Sequence, residues 1–145
     1  MDDEPELLDG LARFLAERGL VTYTSGGGEG EDCFLEDMPS SPDEAVALTI
    51  YDDRVEPDSL LPYDEPRVQL RVRGTTDPRV SRRRCARIRS ELHGLGSVTL
   101  PDGTELILSV CIQGAPASIG VDESRRHEHV ANFRMEIRNP TTHRV

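Results

Sequence analysis

Arg67-Val68-Gln69-Leu70-Arg71-Val72-Arg73 is the stretch on which the fold turns. Val68, Leu70 and Val72 alternate with Arg67, Gln69, Arg71 and Arg73, and side chains along a β-strand point to opposite faces with a period of two. One face is therefore apolar, while the other carries three guanidinium groups. A strand of this kind belongs to a sheet covered on one side only.

Downstream, Thr75-Thr76-Asp77-Pro78 is a helix start, and Val80, Cys85, Ile88 and Leu92 recur at helical spacing as far as Gly94. Gly96 to Pro101 and Glu105 to Gln113 flank Asp102-Gly103, a two-residue hairpin signal. Leu106, Leu108, Val110 and Ile112 are expected on the core side. After a loop rich in Gly and Pro, His127 to Arg138 predicts a long last strand, with Ala131, Phe133, Met135 and Ile137 opposite Asn132, Arg134, Glu136 and Arg138. Upstream, Ala45 to Tyr51 predicts a strand with Val46, Leu48 and Ile50 on one side.

Nearer the start, Leu7, Leu8, Leu11, Phe14 and Leu15 share one face of a helix predicted over 5–19, with Asp3, Glu4 and Glu6 near its positive end and Gly19 as a stop. A short strand is expected over Leu20 to Thr24. Ser25 to Glu44 then holds Gly26-Gly27-Gly28, many carboxylates and Pro39-Ser40-Ser41-Pro42, which predicts a flexible acidic loop with Phe34, Leu35 and Met38 as its sticky points for a docking partner. These elements make an α+β fold: a mostly antiparallel β-sheet with two main helices packed on one face, a two-layer sandwich. At 145 residues a single domain over 1–145 is expected.

Charge divides the chain. Residues 1 to 65 hold 19 carboxylates against Arg13, Arg18 and Arg54, a balance of −16; residues 66 to 145 hold 8 against 14 arginines, a balance of +6, and together they make the net −10. Two readings stay open: the halves attract each other within one fold, or the acidic surface of one copy faces the basic surface of the next, head to tail. The same choice applies to Arg67, Arg71 and Arg73 with Arg134 and Arg138, which on one face would crowd like charges unless carboxylates interleave. Glu136 and Glu105 could supply these within the chain, and a neighbouring copy could supply them across a subunit interface.

Catalysis finds little support. His127-Glu128-His129 is the best metal candidate, because histidines two apart on a strand point the same way, but no third ligand is evident. Cys33, Cys85 and Cys111 lack paired metal-ligand spacing and suit a reducing cytosol. No nucleophile elbow or phosphate loop occurs. The arginines of 79–89 could suggest nucleic-acid binding, but the isoelectric point of about 4.8 and the six Phe and Tyr residues argue against it. No apolar run of about 18 residues is present to span a bilayer, and the acidic first residues do not suit a signal peptide, so a soluble protein without membrane contact is expected.

The succession Pro42-Asp43-Glu44-Ala45-Val46-Ala47-Leu48 and Tyr51, Asp64-Glu65-Pro66-Arg67 through Gly74, Leu92-His93-Gly94-Leu95, Gly120-Val121-Asp122-Glu123-Ser124-Arg125-Arg126 and Asn132-Phe133-Arg134 resembles the minor capsid or tail terminator proteins of long-tailed bacteriophages. The resemblance covers about residues 35 to 138; the acidic stretch around Gly26 to Asp37 departs from it. It implies a sheet with helices on one side and a hexameric ring that ends tail-tube polymerisation and joins the head. Implied partners are copies of the chain itself, the major tail tube protein and a head-completion or stopper protein, with DNA passing through the lumen without specific binding. No catalytic residue, metal or cofactor is implied, and the place of action is the virion neck after assembly in the host cytoplasm. A stopper protein of the neck is the alternative within assembly, and a small metal-dependent hydrolase the alternative outside it.

Overall fold

The computed structural model describes residues 6–24, 29–52 and 54–145. Its elements run α1 (Leu7–Glu17), β1 (Cys33–Leu35), β2 (Ala45–Tyr51), β3 (Tyr63–Asp64), β4 (Arg67–Arg73), α2 (Pro78–Leu92), β5 (Gly96–Thr99), β6 (Glu105–Cys111), β7 (Ala117–Val121) and β8 (His127–Arg138). The strands form one sheet in the order β1-β2-β4-β8-β6-β5, with β3 and β7 also paired to β8. Every pairing is antiparallel except β1 with β2, so the sheet is mixed, although mostly antiparallel as expected.

The spine is β8. Along one side it pairs β4 from Glu128 to Arg134 and then β3 at Ile137 and Arg138. Along the other it pairs β7 from His127 to Val130 and β6 from Phe133 to Arg138. The junction between β7 and β6 is bridged by Gln113, whose side-chain oxygen accepts the Asn132 backbone N–H at 2.6 Å, while the Ile112 N–H reaches the Asn132 carbonyl at 2.9 Å. Backbone groups that neither strand could pair are thereby satisfied.

The apolar alternation behaves as its period demands. Val68, Leu70 and Val72 are buried with Val46, Leu48, Ala131, Phe133 and Met135 beneath the helices. The α1 residues Leu7, Leu8, Leu11, Phe14 and Leu15 close the same core, and α2 contributes Cys85, Ile88 and Leu92. Asp77 caps α2 by accepting the Arg79 N–H at 3.0 Å, with Pro78 opening the helix. Asp3 and Glu4 of the charge cluster expected before α1 lie outside the described residues, and the Glu6 side chain makes no cap hydrogen bond.

Four expectations need correction. Leu20 to Thr24 is not a strand; its backbone is tied to Asp32, whose N–H donates to the Thr22 carbonyl and whose carboxylate accepts the Thr22 N–H at 2.8 Å. Arg84 braces the same place by donating to the Asp32 carboxylate at 2.7 Å and to the Leu20 carbonyl. The 25–44 loop contains β1, because Cys33 and Leu35 find apolar cover beside β2; Gly26-Gly27-Gly28 lies outside the described residues. In β6, a bulge between Leu106 and Leu108 shifts the phase of the strand, so Leu106, Ser109 and Cys111 face the core while Ile107 and Ile112 are exposed. The segment Ala117 to Val121, expected as loop, is the edge strand β7 with every residue exposed.

Candidate assembly surfaces

The helix-free face of the sheet gathers the arginines. Register places Ala47, Arg71, Val130 and Ala117 in one row, Arg73 beside Glu128 in the next, and Arg67 directly opposite Arg134. Arg71 donates through Nε to Glu128, whose carboxylate is only 5% exposed. Arg134 lies 3.6 Å from Glu136 and 3.8 Å from Glu65, and Arg138 lies 3.2 Å from Glu105. Thus the in-chain partners expected, Glu136 and Glu105, are present, and Glu128 and Glu65 join them. Glu128 was hidden in the sequence because it sits between two histidines and reads first as part of a metal motif.

Arg73 differs from its neighbours in being 3% exposed. It donates to the backbone carbonyls of Asp43 and Pro42 at 2.9 and 2.6 Å. Arg126 holds the same turn, donating to the Ser40 carbonyl at 2.7 Å and the Asp43 carboxylate at 2.9 Å, while Asp122 accepts from its Nε. The carboxyl of Asp122 is held below the usual carboxylate range, chiefly by the Arg126 backbone N–H. Two arginines therefore tie residues 40–43 across the start of β8. Of the expected docking points, Phe34 and Leu35 lie in β1, Leu35 packs on the core, and half-buried Met38 lines a hollow with Glu36, Thr49 and Arg71.

The two histidines of the metal candidate, His127 and His129, differ in burial. His129 is buried, and its Nδ1 lies 2.8 Å from the Ser81 hydroxyl on α2. Burial, with the charge of Arg82 and the neighbouring His127, pushes its pKa down and keeps the imidazole neutral. Among the described residues no group of three or more His, Cys, Asp or Glu side chains could hold a metal ion. Burial pushes the Cys33 and Cys85 thiols up to about 12, which leaves them protonated and unreactive at neutral pH.

Two further surfaces escaped the sequence reading. Between β2 and β4, the segment 52–66 leaves Val55, Leu60, Leu61 and Tyr63 exposed, joined by Ile50 and Ile107. All but Leu60 line a hollow of about 320 Å³ or an adjoining one of about 530 Å³, the two sharing Val55, Pro57, Asp64 and Glu65. At the opposite end of β8, Ile119 and Val121 of β7 are exposed beside the turn carrying Arg125. Proline breaks in 52–66 and glycine in β7 hid both, since neither segment has a periodicity to read.

The described residues contain no helix long and apolar enough to cross a membrane. Residues 14–139 match a protein family described as bacteriophage tail terminator protein. No curated protein matches the chain.

Proposed function

Because the chain belongs to the bacteriophage tail terminator family, a family of structural proteins of the virion tail, we propose that it forms a closed ring on the head-proximal end of the tail tube, ends tube growth there and offers the surface to which the head is joined. The family match over most of the chain is the observation that carries this reading. Its partners are then other copies of the chain, the major tail tube protein and a head-completion or stopper protein.

The geometry supports such a role. A single sheet is built on one long strand, helices cover one side, and the other side keeps charged groups half exposed. Arg71, Arg134 and Arg138 keep about a third or more of their side-chain surface open while engaged with their own carboxylates. A neighbour's carboxylates can extend these pairs into a network, which favours one orientation of approach over others. Arg67 lies on the same strip opposite Arg134. Arg73 contributes by fixing the 40–43 turn at the edge of that surface. The excess of carboxylates over the whole chain suits a ring through which DNA slides without adsorbing, because like charge keeps the phosphate backbone at a distance.

The test is co-assembly with growing tail tubes. A terminator is expected to shorten the tube-length distribution and to appear by electron microscopy as a ring on one end of each tube. Tubes of unchanged length with bare ends would overturn the reading, and binding only to a completed head would assign the stopper position instead. Arg138→Gln is the informative variant for the arginine strip, since its pair with Glu105 is exposed and contributes little to folding. Loss of ring closure with unchanged thermal stability is expected from it.

A further inference from the structure

The two exposed apolar surfaces sit at opposite ends of β8. β7 pairs with it from His127 to Val130, whereas β3, which borders the 50–66 groove, pairs at Ile137 and Arg138. From Val130 to Ile137 the strand advances roughly 23 Å at about 3.3 Å per residue. Each end also has its own charge. Asp52, Glu56 and Asp58 rim the groove and have no ion-pair partner among the described residues. At the other end Arg125 stands exposed in the turn after Val121.

The first two turns of α2 add to that basic end. Ser81 in the first turn of α2 lies 2.8 Å from His129, whose register partner on β7 is Ser118. Arg82 and Arg83 are exposed and, like Arg125, make no ion pair with a described carboxylate. Glu123 is the one exposed carboxylate of the intervening turn, since Asp122 is engaged by Arg126. The outer edge of β7 pairs with no described strand and presents backbone N–H and C=O groups beside Ile119 and Val121. One end is thus apolar and basic, and the other apolar and, with six carboxylates against Arg67 in its lining, acidic.

We propose that the β7 end of one copy seats in the 50–66 groove of a second copy, with Ile119 and Val121 against Val55, Leu61 and Tyr63, and Arg82, Arg83 and Arg125 against Asp52, Glu56 and Asp58. The occupant is a second copy because apolar area and charge are complementary between the two ends of this same chain. A contact between two different surfaces, one of each on every copy, is heterologous, and such contacts propagate until the rotation per step closes a ring. This deepens the ring reading by adding a second contact surface beside the arginine strip, and rests on that reading.

Sedimentation velocity of the full chain, alone and with tail tubes, tests the pairing by charge exchange. Arg83→Glu and Glu56→Arg are each expected to weaken association by about tenfold, and the chain carrying both to recover most of that loss, because the pair is re-formed with its charges reversed. Circular dichroism checks that each variant remains folded, as exposed positions permit. A chain carrying Ile119→Cys and Leu61→Cys gives a second readout. Mild oxidation should yield a ladder of disulfide-linked oligomers, since the native cysteines are buried. Unchanged association in both single variants, failure of the double variant to recover, or absence of the ladder overturns the proposed surface. If the parent chain closes rings while these results fail, the ring reading survives and only the surface falls; if the parent forms no ring even on tubes, both fall.

Discussion

Arg71 and Glu128 show how a charge on an open sheet face becomes part of the fold. The carboxylate is almost wholly removed from water, so the guanidinium beside it does more than an exposed ion pair could. Arg71→Glu sets two carboxylates against each other across β4 and β8, and is expected to cost about 2–3 kcal/mol, less than for a wholly buried pair because Arg71 is part-exposed. Urea unfolding of the variant checks this; unchanged stability would mean that Glu128 finds another donor. Failure of this variant to assemble would therefore say nothing about a subunit contact. His129 supplies a second handle. Its folded pKa lies below the unfolded value near 6.5, so as pH falls through that value the unfolded chain takes up a proton that the native chain refuses. Stability is therefore complete above about pH 7 and falls as the pH drops from about 7 toward 5. The carboxyls of Asp58, Asp77 and Asp122, all lowered, act only at more acidic pH. Thermal melts across this range should show the slope, and His129→Gln should flatten it.

At the scale of elements, legibility followed period and burial. β2, β4, β8 and both helices were readable because each buries one periodic face against the shared core. β1 and β7 were not, since three and five residues among glycines, prolines and carboxylates carry no period, and their pairing is decided by a partner distant in sequence. The β6 bulge was invisible for a related reason: Leu106, Leu108, Val110 and Ile112 alternate perfectly, yet the strand gains one residue opposite β8 and changes face. Gly96 shows what the bulge requires. A Cβ there would lie 2.4 Å from the Ile107 carbonyl oxygen, a backbone atom that cannot swing aside. Gly96→Ala is expected to destabilise the β5–β6 hairpin by roughly 1–3 kcal/mol, as overpacking does elsewhere. Hydrogen exchange should place the loss first at Gly94 and Ser109, whose N–H groups donate to the Ser109 and Leu95 carbonyls. Protection equal to the parent would show that the hairpin can shift as a unit. The candidate site divides in the same way: the arginine strip was legible as alternation, while its partners and the apolar ends depended on tertiary placement.

For the whole molecule, the −16 and +6 halves have two fates that can now be separated. Part of the charge is consumed within the chain: Arg84 meets Asp32, Arg126 meets Asp43, Arg144 meets Asp64 and Arg134 meets Glu65, each joining the basic half to the acidic one. Arg84 and Arg144 and their carboxylate partners are largely shielded from solvent, so salt screens these two pairs weakly. The remainder, on α2 and around 52–58, is exposed and would act between copies. Salt should distinguish the two populations, because the screening length shrinks from about 10 Å at 0.1 M to about 3 Å at 1 M. Raising salt across that range is expected to leave the melting temperature nearly unchanged while weakening self-association by about tenfold or more, as charge-steered contacts do. Light scattering and thermal melts on the same samples measure both. Parallel loss of stability and association would mean that the halves are held together mainly by exposed charge. Association that strengthens with salt would instead assign the contact to the apolar surfaces alone, leaving the arginines of α2 to a different partner.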